Sequence, residues 1–188
     1  MTPRLVTAGL LTVLVAAGQK QANPTVDLNG GLQAQILTLG RNDAPHPALT
    51  ATVKITNTGK DHAFLLLLGL PSAVDDAGGR FDNVGAVTGI ANCAVQSNLT
   101  RQCVKVDDAY FFPFQNYTEI DPGKSITVHF SMSSTMGSKG GKVSLSAEMA
   151  YRFVKEPDLE KDPDVPDKQK ARAVRFGNLS FEPVALEK

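Results

Sequence analysis

Cys93 and Cys103 are the two cysteines of the chain, and they enclose Ala94 to Gln102. Thiols can bind soft metals, exchange disulfides or close a structural loop, and spacing separates these uses. A redox pair usually sits as Cys-x-x-Cys, and a zinc centre needs four ligands, which the neighbourhood of this pair does not offer. The simplest reading is one disulfide, Cys93 to Cys103, of the kind found in exported chains. Closing a loop of about ten residues contributes roughly 2.8 kcal/mol in the chain-entropy account.

The three histidines, His46, His62 and His129, are scattered, and none has a second histidine or a cysteine at ligand spacing. His129 and Met132 together offer a copper-like donor set, but residues three apart in a strand point to opposite faces. Asp158, Glu160, Asp162 and Asp164 alternate like a calcium loop. The glycine such a loop requires is missing, and Pro163 and several lysines interrupt the acidic field. Gly123-Lys124-Ser125 resembles the tail of a phosphate-binding loop, but Thr118 stands where the first glycine is needed and a strand pattern follows. The acidic pairs Asp75/Asp76 and Asp107/Asp108 lie in turn-like stretches, where aspartate serves the backbone. No nucleophile elbow or zinc-protease helix is present. The expectation is a non-enzymatic chain with no cofactor and no dedicated metal ligands.

Tyr110, Phe111, Phe112 and Phe114, followed by Tyr117, form the densest aromatic run. Such rings either fill the ends of a core or present a loop-borne apolar patch to a partner protein. Pro113 argues against a central strand and favours a loop, so Tyr110, Phe111, Phe112 and Phe114 are the candidate partner-binding residues. With no tryptophan in the chain, a sugar-stacking platform or aromatic cage would have to rely on these smaller rings.

The elements that must carry these residues are strands. At 42% hydrophobic and 20% charged the composition is that of an ordinary globular domain, and 16 glycines and 11 prolines among short apolar runs favour all-β architecture. Ala51, Val53 and Ile55 alternate with Thr52, Lys54 and Thr56, a polar turn follows at Asn57 to Asp61, and Phe64 to Leu68 is apolar throughout. Alternation, turn and solid apolar run predict a hairpin whose second strand is covered on both faces. Leu32 to Leu39 predicts an opening strand, and Asp75 to Phe81 a turn with a return strand. Ser125 to Met132 alternates cleanly. Lys142 to Phe153 is the longest alternation, with Val143, Leu145, Ala147, Met149, Tyr151 and Phe153 on one face. Residues 155–172 are charged and proline-bearing, which predicts a mobile excursion. Arg175 to Phe181 resumes strand character with a phase change at Gly177.

Met1 to Ala22 has an early charge at Arg4, an apolar run from Leu5 to Ala17 and small residues beyond it, the pattern of a secretory signal peptide. The uncharged stretch from Leu5 to Gln19 is shorter than the ~20 residues needed to span a bilayer. Cleavage after Ala17, Gly18 or Ala22 is compatible with the pattern. Removal of residues 1–22 leaves 17 basic residues against 19 acidic ones, a net charge of −2. Nothing in that balance draws the protein to nucleic acid or to an anionic membrane. The expectation is a single domain over residues 23–188, located outside the cytoplasm with no stable membrane anchor.

Three stretches carry a resemblance: Ile55-Thr56-Asn57-Thr58-Gly59-Lys60, then Asp76 with Gly79 and Phe81, then Ile120-Asp121-Pro122-Gly123-Lys124-Ser125. Together they are similar to the immunoglobulin-like β-sandwich domains of secreted or periplasmic bacterial proteins, many of which have no assigned activity. The resemblance covers about Leu32 to Phe181 and implies an immunoglobulin-like antiparallel β-sandwich of about seven strands. It carries over no functional residue. The cysteine pair is too close in sequence for the inter-sheet disulfide of antibody domains, and the tryptophan that packs on that disulfide is absent. The expected function is that of an exported, non-catalytic binding module with a protein partner. The alternative is a periplasmic small-molecule or metal-ion binder, with copper or calcium as the metal.

Overall fold

The computed structural model describes residues 25–28, 30–42, 47–92, 104–106, 109–111, 117–134, 137–155 and 175–186. The strands are β1 (Thr25–Asp27), β2 (Leu32–Asn42), β3 (Ala48–Asn57), β4 (His62–Leu67), β5 (Ser72–Asp75), β6 (Arg80–Phe81), β7 (Asn83–Thr88), β8 (Val104–Val106), β9 (Ala109–Phe111), β10 (Thr118–Ile120), β11 (Ser125–Ser133), β12 (Lys142–Val154) and β13 (Arg175–Ala185). One sheet runs β1-β2-β3-β11-β7. The other runs β10-β4-β12-β5-β6, with β13 on the far edge of β12, and β8 and β9 form a separate two-stranded ribbon.

The protein is an all-β, immunoglobulin-like sandwich. Among the described residues the strands of six or more residues are β2, β3, β4, β7, β11, β12 and β13, in line with the about seven that the resemblance implies. They fall into β2-β3-β11-β7 facing β4-β12-β13, the ABED-against-CFG arrangement of a constant-type immunoglobulin domain. β4 and β5 lie in tandem along one edge of β12. β4 pairs with Met149 to Val154 and β5 with Val143 to Ser146.

Alternation explains the core. Val53 and Ile55 of β3, Val128 and Phe130 of β11, and Leu145 and Met149 of β12 point between the sheets and are buried together. Where the alternation is broken the chain bulges. β2 shifts register between Ile36 and Thr38, which lets both Ile36 and Leu39 face inward.

Three expectations are corrected. Ala51 to Leu70 is not a hairpin: β3 is flanked by β2 and β11, whereas β4 belongs to the opposite sheet. Both edges of β3 are occupied, so the turn at 58–61 carries the chain across the sandwich. The second correction concerns β12, where Ala150 and Arg152, on the face opposite Val143, Leu145 and Met149, are buried as well, while Phe153, expected inward, is only half-buried. The third concerns β13. Pairing at Gly177 is regular, opposite Met149, and the register slips between Phe181 and Val184, around Pro183, which has no N–H to donate. Gly177 instead lies under Tyr151, whose ring would stand 3.1 Å from an added Cβ.

The proposed signal peptide, both cysteines, Phe112, Phe114 and residues 156–172 lie outside the described residues. So do the side chains of Tyr110 and Phe111, whose backbone belongs to β9.

Candidate functional site

Among the described residues the chemistry-bearing side chains gather at three places, each built by strand pairing. The first is the outer face of the second sheet. In β4, Ala63, Leu65 and Leu67 enter the main core, whereas Phe64 and Leu66 point outward. There they are buried against Tyr117, Ala150 and Val154, with Leu68 and Ala91 packed alongside. This answers what covers the apolar run of β4: the sandwich takes one face and a small second core takes the other. The segment around Ala91 is fastened to this sheet by a hydrogen bond from Leu67 N to Ala91 O and another from Ala91 N to Thr118 Oγ1, at 2.8 and 2.7 Å. Tyr117, the residue that ends the aromatic run, is seated in this layer. Burial pushes its phenol up to about 12, against a smaller opposing pull from the Arg152 guanidinium.

Farther along the same outer face the layer gives way to a shallow groove of about 320 Å³, lined by Gly69, Leu70, Ser72, Ser146, Glu148 and Asn178 among others. Ser72 and Ser146 share a 3.1 Å hydrogen bond across it. Leu70 and Val74 stand beside this polar stretch at 48% and 40% exposure, the large apolar side chains left in solvent among the described residues.

The second place is the crossing turn and its neighbour, where two of the sequence stretches that carried the resemblance meet. Asn57 is fully buried, and its Nδ2 donates to the carbonyls of Asp61 and Ile120 at 2.8 and 2.9 Å. Its Oδ1 accepts from Gly59 N at 2.9 Å, and its backbone exchanges hydrogen bonds with Gly123 and Lys124. This one amide clamps the start of β4 to the end of β10. Pairing of Ile120 with Ala63 and of Glu119 with Phe64 then brings Glu119 and Asp121 to His62. His62 Nδ1 lies 3.0 Å from Glu119 Oε1 and 3.1 Å from Asp121 Oδ1. The imidazole is 16% exposed, the carboxylates 46% and 57%. No histidine or cysteine lies near His62 at ligand spacing in the sequence. The partners are carboxylates almost 60 positions away, and their signal is the β4–β10 register.

The third is a polar hub at the end of β5. Asp75 is only 4% exposed. Oδ1 accepts from Ala77 N and Gly79 N at 3.0 and 2.6 Å, and Oδ2 accepts from Gly140 N at 2.9 Å and from the Ser138 hydroxyl. Arg41 Nη1 reaches over from β2 to Ser138 Oγ and the Gly140 carbonyl. Burial alone raises a carboxyl pKa, but the hydrogen bonds from Ser138, Gly140, Gly79 and Ala77 outweigh it and hold Asp75 at about 2. Backbone service, as the sequence suggested, is its role, but it joins loops 63 to 65 residues apart.

His129 and Met132 do not converge. His129 is exposed, with Nδ1 3.2 Å from Thr52 Oγ1, while Met132 is buried in the core.

No protein-family model and no curated protein matches the chain. Among solved structures it is similar to an uncharacterised β-sandwich protein from Clostridium difficile 630, at 11% identity over 67% of this chain and 83% of that one, with a TM-score of 0.34. The sandwich assignment accordingly stands on this chain's own strand pairing.

Proposed function

We propose that the protein is an exported, non-catalytic binding module of the secreted immunoglobulin-like kind, engaging a protein partner through the aromatic segment Tyr110, Phe111, Phe112 and Phe114. The observation that supports this reading is the second apolar layer on the outer face of the six-stranded sheet. Tyr117 anchors the end of the aromatic run in that layer, beside Phe64 and Leu66. Sandwich domains ordinarily present polar side chains on an outer sheet face; here Phe64 and Leu66 are buried with Tyr117, which fixes the end of the aromatic run to that face. Export of the mature chain and a Cys93–Cys103 disulfide belong to the same proposal. Mass spectrometry of the chain purified from its native compartment tests both, and two alkylatable thiols in the non-reduced, unfolded protein would contradict the disulfide.

The partner reading is tested with a photo-crosslinking amino acid placed in living cells at Phe112 and, as a control, at exposed Gln33 on the opposite sheet. A discrete product from position 112 alone is expected. Equal, diffuse products from both positions contradict the reading. A specific observation also favours the alternative, an ion-binding protein: the convergence of Glu119 and Asp121 on His62.

A further inference from the structure

We infer that His62, Glu119 and Asp121 form a binding site for one divalent cation of the zinc class, independent of the aromatic segment. Among the described residues this is the place where three metal-ligating side chains converge, their ligand atoms all within 4.8 Å of one another. The arrangement is unusual for ion pairing alone. Both carboxylates approach the same ring nitrogen, Nδ1, which carries at most one proton and can direct it well to only one acceptor. A cation at the shared point would be bonded to all three atoms at once. Tetrahedral zinc, with bonds of about 2.0–2.2 Å to nitrogen and oxygen, needs its ligand atoms roughly 3.3–3.5 Å apart. The 3.0 and 3.1 Å separations from Nδ1 open by a few tenths of an ångström, and the two carboxylate oxygens, within 4.8 Å of each other, swing to the same spacing. Exposed carboxylates can make that adjustment while the mostly buried imidazole stays fixed.

The backbone beneath is held before any ion arrives. Asn57 ties Asp61 to Ile120, and the β4–β10 register places His62, Glu119 and Asp121 on one face of the sheet. The donor set decides the ion class. One imidazole and two carboxylates suit zinc and its transition-metal neighbours, whereas calcium takes six to eight oxygens and gains little from a ring nitrogen. Three protein ligands leave a fourth position to water or to a ligand group from a partner.

The test is a titration of tag-free mature protein with zinc chloride in a non-chelating buffer, followed by calorimetry and thermal unfolding. One saturable equivalent is expected, with a rise in Tm. Affinity should fall at least about tenfold in His62→Gln and in the double variant E119Q/D121N, and should be unchanged in His129→Ala. The carboxylate variant alters only exposed side chains, so it keeps the test decisive if His62→Gln fails to fold. Absence of saturable zinc uptake overturns the proposal, as does uptake that survives E119Q/D121N. Either result leaves crosslinking from Phe112 untouched, so this site and the partner surface stand or fall separately.

Discussion

Asp75→Asn removes a charge without removing bulk, and the hub around it allows the effect to be worked out. The carboxylate accepts from three backbone N–H groups and one hydroxyl. An amide in its place offers one acceptor oxygen and turns an NH2 toward donors. Stranding that many donors costs about 2–4 kcal/mol at neutral pH, which for a chain of this size lowers Tm by roughly 5–15 °C. The pH dependence is the sharper reading. A free aspartate titrates near 3.9 and Asp75 is held at about 2, a difference worth ~2.6 kcal/mol at face value. The turn carrying it, Asp76 to Gly78, is exposed, so solvent screening reduces this to about 1–2 kcal/mol. Because the folded-state pKa is depressed, this stabilisation is complete above pH ~4 and is lost as pH falls toward 2. Urea unfolding of wild type and Asp75→Asn at pH 6 and pH 2 should show the gap between them narrowing by that amount. A gap below about 0.5 kcal/mol at pH 6, or one unchanged at pH 2, refutes the assignment of Asp75 as the charged organiser of these loops.

Asn57→Ala leaves two carbonyls and one N–H without their side-chain partner and should destabilise by about 3 kcal/mol, read by chemical denaturation. Gly89 and Gly78 both have φ of +84°, but only at Gly89 does an added Cβ meet backbone, 2.1 Å from Thr127 O. Gly89→Ala should therefore cost at least about 3 kcal/mol and Gly78→Ala about 1 kcal/mol, and equal losses would contradict the packing described for β7 against β11. Tyr117 should ionise only near pH 12. Since its folded-state pKa is raised, stability should fall as pH rises from ~10, where the unfolded phenol ionises, toward 12. Ultraviolet titration of wild type against Tyr117→Phe checks this, and loss of an ordinary phenol signal near pH 10 in the variant would contradict it.

How far the fold is legible depends on the range of the interaction. The alternation of Ile126, Val128, Phe130 and Met132 states its own strand and inward face, and β11 follows it except that Ile126, near the strand's start, is half-buried. The turns at Asp75 to Phe81 and Asp121 to Lys124 are local chemistry and form as read. The Ala51 to Leu70 stretch misleads because a hairpin and a sheet-to-sheet crossing share one local pattern. The occupied edges of β3 decide between them, and those edges are filled by residues far along the chain. The same holds for Ala150 and Val154, whose burial comes from Tyr117 and Phe64 across the sheet. The His62 and Asp75 clusters could not be seen in local spacing. Their partners lie 57 to 65 residues away, and only the registers bring them together.

The aromatic segment is the feature on which the proposed function rests, and affinity measures it most directly. Once the product crosslinked through position 112 is identified, the purified partner is titrated with wild type and with the variant F111S/F112S/F114S. The reading predicts at least a tenfold loss of affinity for the variant, consistent with aromatic side chains carrying most of an interface's energy, with no change in its unfolding midpoint. Unchanged affinity in a folded variant contradicts it.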